Sequence, residues 1–159
     1  MVKYSVLEKI ISGGQTGADR AALDFAIAHG IPHGGWCPQG RLAEDGPIPA
    51  RYQLSETPTS DYAQRTEWNV RDSEGTVIFS ISPTLIGGSL YTAEIARQYR
   101  RPCLHLSRER DGDLAGAKLI AFLARHQIKV LNVAGPRLSL EPEVADYTRR
   151  VLEEANFGL

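Results

Sequence analysis

Lys9-Ile10-Ile11-Ser12 runs directly into Gly13-Gly14-Gln15-Thr16-Gly17, and then into a stretch that sets Ala18, Ala22, Phe25 and Ala26 on one helical face. An apolar run, a glycine turn and an amphipathic helix in that order open a β–α crossover. A crossover of this kind commits a chain to parallel strand pairing and to the right-handed connection that packs the helix back on its sheet.

The same grammar returns further along. Ile31 to Trp36 reads as a short second strand. Cys37 to Asp61 is dense in glycine, proline and turn formers and reads as a long loop, of a length that in compact domains accompanies function or mobility. Tyr62 to Ser73 holds no proline or glycine and reads as a helix ended by Gly75; Thr76 to Ser80 is then a third strand, apolar enough for burial on both faces. Ser82 to Ser89 reads as a loop, Tyr91, Ile95 and Tyr99 mark a helix, and Pro102 to Leu106 a fourth strand. A helix over Asp113 to His126 turns Ala115, Leu119, Phe122 and Leu123 inward, and Ile128 to Val133 is a fifth strand ending at Ala134-Gly135-Pro136-Arg137. The last helix carries Val144, Tyr147, Thr148, Val151, Leu152 and Ala155 on one stripe, with Glu141 and Glu143 near its positive end.

This alternation predicts an α/β fold: a single-domain Rossmann-like three-layer sandwich over residues 1–159, with a mostly parallel sheet of about five strands and helices on both faces. A chain of 159 residues can bury one adequate core and gives no reason for a second domain. In such sheets ligands sit outside the carboxyl ends of the strands, so the loops there are the places to look for chemistry.

Charge and composition narrow the partners. A formal net charge of -1 gives no field to attract polyanions, which disfavours nucleic acid. No stretch approaches the ~20 apolar residues of a membrane span, and the N-terminus lacks the apolar core of a secretory leader. The two cysteines, Cys37 and Cys103, stand far apart outside any C-x-x-C pattern, as expected of two reduced thiols in a cytoplasmic protein. His29, His33, His105 and His126 form no i,i+4 metal pair, and no G-x-S-x-G is present, so metal-dependent and serine hydrolysis are both disfavoured and no metal site is expected.

Three loops converge on the predicted strand ends. In Gly13, Gly14, Gln15, Thr16, Gly17 and Asp19, glycines allow close backbone approach and the following helix offers unpaired N–H groups, which suits an anion. The pattern is neither G-x-G-x-x-G nor a Walker A loop, and the plainer reading is a tight turn capped by Thr16 or Asp19. Gly87, Gly88, Ser89 and Thr92 repeat the device after the third strand, and Asn132, Gly135 and Arg137 end the fifth, where the arginine fork could meet a phosphate or carboxylate. Arg41, in the long loop with Glu44 and Asp45, is a second candidate. Arg65, Asn69 and Asp72 share one helical face that either lines the crevice or is simply solvated.

The segments ISGGQTGADRAALDFA, GWCPQGRLAEDGPIPARYQL with RTEWNVRDSEGTVIFS, and LNVAGPRLS resemble, in order and over nearly the whole chain, the "putative molybdenum carrier" family. That family falls in the wider Rossmann-like group that contains the lysine-decarboxylase-like LOG proteins and the DNA-processing protein A domain. The resemblance implies a nucleotide-binding fold and a small anionic ligand: a nucleotide, or a pterin-type species such as molybdenum cofactor, or molybdate. It also implies that Arg65, Asn69 and Asp72 face the crevice. Gly87, Gly88 and Glu94 look like the glycine pair and acid of the LOG stretch P-G-G-x-G-T-x-x-E, which makes Glu94 a candidate catalytic acid. Ile86 and Leu90 stand where that stretch has proline and glycine, and Thr92 comes one place late. A carrier or binding protein is thus the leading expectation, a LOG-like hydrolase of the nucleotide N-glycosidic bond (a phosphoribohydrolase) the alternative, and a scaffold with an inherited empty pocket a third. A homodimer or higher homo-oligomer is expected, as related folds often pair.

Overall fold

The computed structural model describes residues 7–155 and 157. Five strands, β1 (Lys9–Ile11), β2 (His33–Gly34), β7 (Gly75–Ser80), β8 (Cys103–Ser107) and β9 (Val130–Ala134), form one sheet in the order β2-β1-β9-β7-β8. Every pairing in it is parallel, so the expected α/β architecture is present with the last strand at the centre. Between the first strands and β7 lie four two-residue strands, β3 (Trp36–Cys37), β4 (Leu42–Ala43), β5 (Gly46–Pro47) and β6 (Ser55–Glu56).

The helices are α1 (Ala18–Ala28), α2 (Tyr62–Arg71), α3 (Gly87–Gln98), a single turn α4 (Arg108–Asp111), α5 (Ala115–His126) and α6 (Val144–Ala155). Alternation along β7 explains the layers. Val77 and Phe79 point into the main core with Ala22, Leu119, Leu123 and Val151 from α1, α5 and α6, while Thr76, Ile78 and Ser80 point to the other face. There a second, smaller cluster joins Val70 of α2 to Ile95 and Ala96 of α3. All six residues of β7 are buried, as a strand covered on both faces requires.

The long segment before α2 departs from the expected loop. The predicted strand Ile31–Trp36 breaks at Gly35, whose φ of +124° turns the chain out of the sheet and against the Ser12 backbone. The chain then builds its own small layer: β3 pairs with β6, β4 pairs with β5, and Leu23, Cys37, Ile48 and Tyr52 form a separate core. Asn69 clips this layer to α2, accepting from Trp36 N–H at 2.8 Å and donating to Trp36 C=O at 2.9 Å. Other expectations shift at their ends. α2 starts after Asp61, whose carboxylate accepts from Ala63 N–H, and stops at Arg71. Gly75 belongs to β7; α5 begins at Ala115 after a 3-10 turn; and the fifth strand runs Val130–Ala134. The helix after β7 begins at Gly87 itself, so the second glycine pair is a helix start and not a preceding loop. No helix among the described residues is long and apolar enough to cross a membrane.

Candidate functional site

A crevice of about 610 Å³ opens at the carboxyl ends of β1, β9 and β7, between the first turns of α2 and α3. Strand polarity accounts for its position, because each parallel strand delivers its following loop to the same edge. Gly13, Gln15 and Asp19 reach it from the β1 end and α1; Asn132, Gly135 and Arg137 from the β9 end; Arg65 and Asn69 from α2; and Gly87, Gly88, Ser89 and Thr92 from α3. The structure therefore brings together most of the residues singled out in the sequence.

Six of them lie elsewhere, for identifiable reasons. Gly14, with φ of +79°, packs against Ile48 and Leu54; Gly17, with φ of +89°, sits under the backbone of Pro136; and Thr16 Oγ1 accepts from Leu138 N–H at 3.2 Å. Arg41 lies outside the crevice lining: its guanidinium donates to the carbonyls of Ile48, Pro49 and Tyr52 at 2.8 to 3.0 Å and holds the long segment together. Asp72 accepts from Arg71 Nε and from Trp36 Nε1, each at 2.8 Å, and the Arg71 guanidinium holds its carboxyl below the usual range. Glu94 is exposed on α3 and outside the crevice lining. The face shared by Arg65, Asn69 and Asp72 thus splits: Arg65 and Asn69 look into the crevice, and Asp72 turns to the β3 layer. Even Asn69, with both its amide atoms bonded to Trp36, has little left for a ligand.

The glycines divide by what stands beside them. A Cβ on Gly13 would meet Arg65 Nη1 at 2.5 Å, one on Gly17 would meet Pro136 C=O at 2.5 Å, and one on Gly135 would collide with Phe79 C=O. These glycines let protein approach protein. Beside Gly87 and Gly88 nothing lies within 4 Å, and no side chain caps α3, whose N-cap is Ile86. Gly87, Gly88 and Ser89 line the crevice, and the uncapped first N–H groups of α3 carry the partial positive charge of a helix start. Ser89, 7% exposed and lining the crevice, makes no side-chain hydrogen bond among the described residues.

Two carboxylates, Asp19 and Glu141, also line the crevice. Asp19, 6% exposed, accepts from Gln15 N–H at 3.1 Å, and burial pushes its carboxyl up to about 6 against the pull of the Arg65 guanidinium. Glu141, expected to serve the α6 dipole, instead accepts from Ile81 and Ser82 N–H at 2.8 and 3.0 Å and fixes the loop after β7. Arg65 Nη1 donates to Gly13 C=O at 2.9 Å, and Arg137 Nε lies 3.4 Å from Glu44. Ser80 Oγ, at the end of β7, is 2.6 Å from His105 Nε2 and donates to Ser82 C=O at 2.6 Å. Neither cysteine lines the crevice.

Sequence reading missed Tyr62, Ile86, Tyr91 and Leu140, which give the crevice apolar walls, and Ser80 and Glu141 on its floor. Tyr62 precedes Arg65 and Asn69 on the same α2 face, a spacing that could have flagged it. Leu140 and Glu141 carry no such signal, since only the return of the chain to the sheet edge brings them in.

The model of the circularly permutated YpsA SLOG family matches residues 10–156. No curated protein matches the chain. Among solved structures, the crystal structure of "Putative molybdenum carrier protein" from Syntrophus aciditrophicus SB, at 1.45 Å resolution, is similar to it with a TM-score of 0.94 and 52% sequence identity. The match covers 96% of this chain and 97% of that one.

Proposed function

Because the chain belongs to the circularly permutated YpsA SLOG family, we propose that it is a binding or carrier protein that holds a small anionic ligand of nucleotide or pterin type in this crevice. The observation that carries the reading is the start of α3, where Gly87, Gly88 and Ser89 line the crevice and no side chain caps the N–H groups. The ligand's phosphate or other anion sits there, with Ser89 Oγ donating and Arg137 adding charge from the β9 end. Carriage of molybdenum is supported by the description of the 52% identical neighbour.

Among the described residues no group of three or more His, Cys, Asp or Glu is arranged to hold a metal ion. The crevice lining contains neither Cys nor His, so molybdenum in this crevice is held as an oxyanion or through an organic ligand, by N–H groups and arginine. Exposed Glu94, outside the crevice, does not favour release of a base by the LOG-like route.

Native mass spectrometry with elemental analysis on gently purified protein, followed by a thermal-shift panel of nucleotides, pterins and molybdate, tests this reading. Co-purified molybdenum or pterin, or stabilisation by an anionic member of the panel, is the expected result. A protein that carries none and is shifted by none contradicts it.

A further inference from the structure

The turn after β1 spends most of its hydrogen-bonding groups on the protein itself. Gln15 N–H donates to Asp19 Oδ2 at 3.1 Å, and Thr16 N–H donates to Gln15 Oε1 at 3.0 Å. The same Oε1 accepts a second backbone donor, Glu44 N–H at 2.9 Å, from the connection between β4 and β5. Glu44 is itself held, its carboxylate accepting from Ser139 N–H at 3.2 Å and from Ser139 Oγ at 2.8 Å. Two backbone N–H groups on one oxygen fix which way the Gln15 amide stands, since turning it over would set its NH2 group against both donors. Gln15 Nε2 is left over, without an acceptor among the described residues. The residue is 6% exposed and lines the crevice. Among the described residues Tyr147 Oη is the sole fully enclosed side-chain polar atom without a hydrogen bond, so Gln15 Nε2 is not fully enclosed.

A carboxamide buried to this degree with its NH2 group unpaired calls for an acceptor. The ligand's anion is assigned to α3 above, and the backbone N–H groups of Gln15 and Thr16 are already taken. What the turn still offers the ligand is one neutral donor group. The oxo oxygen of a carbonyl, on the part of the ligand beyond its anion, satisfies such a donor. An amino group in that place would meet Nε2 donor against donor and leave both unpaired.

Resting on the binding function above, we propose that Gln15 is a specificity-determining residue of the crevice, its Nε2 donating to a carbonyl oxygen of the ligand while the Glu44 backbone holds the amide in place. Ligands with an oxo group at that position are bound more tightly than those with an amino group there.

Isothermal titration of the full chain with two matched pairs tests this. IMP and AMP share the sugar phosphate and exchange an oxo group for an amino group on one purine carbon; UMP and CMP make the same exchange on a pyrimidine. In at least one pair the oxo member binds wild type at least ~10-fold more tightly, and in Gln15→Ala, checked for folding by circular dichroism, the preference falls to within about twofold. The side-chain NH2 resonances of Gln15 in wild type give a second reading that needs no variant: IMP, UMP or 6-carboxypterin, each of which carries an oxo group, moves them when it binds. Equal or reversed affinities within both pairs, a preference unchanged in Gln15→Ala, or Gln15 NH2 resonances that stay in place under a saturating oxo ligand overturn the role of Gln15 and leave anion binding standing. Binding of molybdate or inorganic phosphate with none of the organic ligands bound does the same. If all of these probes are inert, both readings are overturned.

Discussion

What distinguishes one glycine from another in this chain is the space beside its Cα. At Gly17 a positive φ and the Pro136 carbonyl both exclude a side chain, so Gly17→Ala is expected to destabilise the fold by about 2 kcal/mol or more, read from urea unfolding. Gly88 sits in the first turn of a helix with open space beside it, so Gly88→Ala is expected to be neutral or to stabilise by up to about 1 kcal/mol, while a bulkier Gly88→Val stays folded and blocks the anion. Asp19 makes a prediction of the opposite kind. Its folded-state value of about 6 against an ordinary 3.8 means that the folded protein holds the proton more tightly than the unfolded chain. This group's contribution is thus best below about 4 and is lost as pH rises through 6. Asp19→Asn removes the dependence: relative to wild type it gains on the order of 3 kcal/mol at pH 8, and the gain fades towards pH 4, as paired urea melts at the two pH values will show. A difference independent of pH would mean that Asp19 is better solvated than its burial implies.

Among the elements, the segment between β3 and α2 owes its shape to Arg41, whose φ of +54° and bonds to three carbonyls replace the ladder that such short strands cannot supply. Arg41→Ala leaves those carbonyls competing for water and is expected to cost about 2 kcal/mol, with proteolytic nicking concentrated in residues 38–60, as limited trypsinolysis with mass mapping would detect. Unchanged stability would assign the segment's order to its small core instead. The sequence reading had the main elements right where periodicity ran long, as in α1, α5 and α6, because amphipathic stripes depend on local spacing alone. Cys37–Asp61 reads as one long loop because strands of two residues carry no period, and Arg41 reads as a ligand candidate because an arginine that pairs with carbonyls looks in sequence like one that awaits an anion. The glycine loops were legible as backbone devices; whether the space beside them held Arg65, Pro136 or nothing was not, since each neighbour arrives from a distant part of the chain.

In the whole molecule, the sheet order explains why a chain that ends in a β–α unit has its last strand at the centre. Placing β9 and α6 ahead of β1 and renumbering the five main strands turns β2-β1-β9-β7-β8 into 3-2-1-4-5, the doubly wound order, which agrees with the permuted family to which the chain belongs. Leu7 and Phe157 belong to the same core cluster, so a chain reopened before Gln127, with its former ends joined by a flexible Gly/Ser linker, is expected to refold with the same far-UV circular dichroism and cooperative melting. Loss of cooperativity in that variant would show that the connection from α5 to β9 is needed for the fold. The central claim concerns the edge where these strands end: that the start of α3, and not the tighter Gly13–Gly17 turn, receives the ligand's anion. Backbone amide NMR during titration with GMP and with 6-carboxypterin tests it most directly. The largest shifts are expected at Gly87, Gly88 and Ser89 and to vanish in Gly88→Val; shifts centred on Gly14 to Gly17, with Gly88 and Ser89 unmoved, would contradict it.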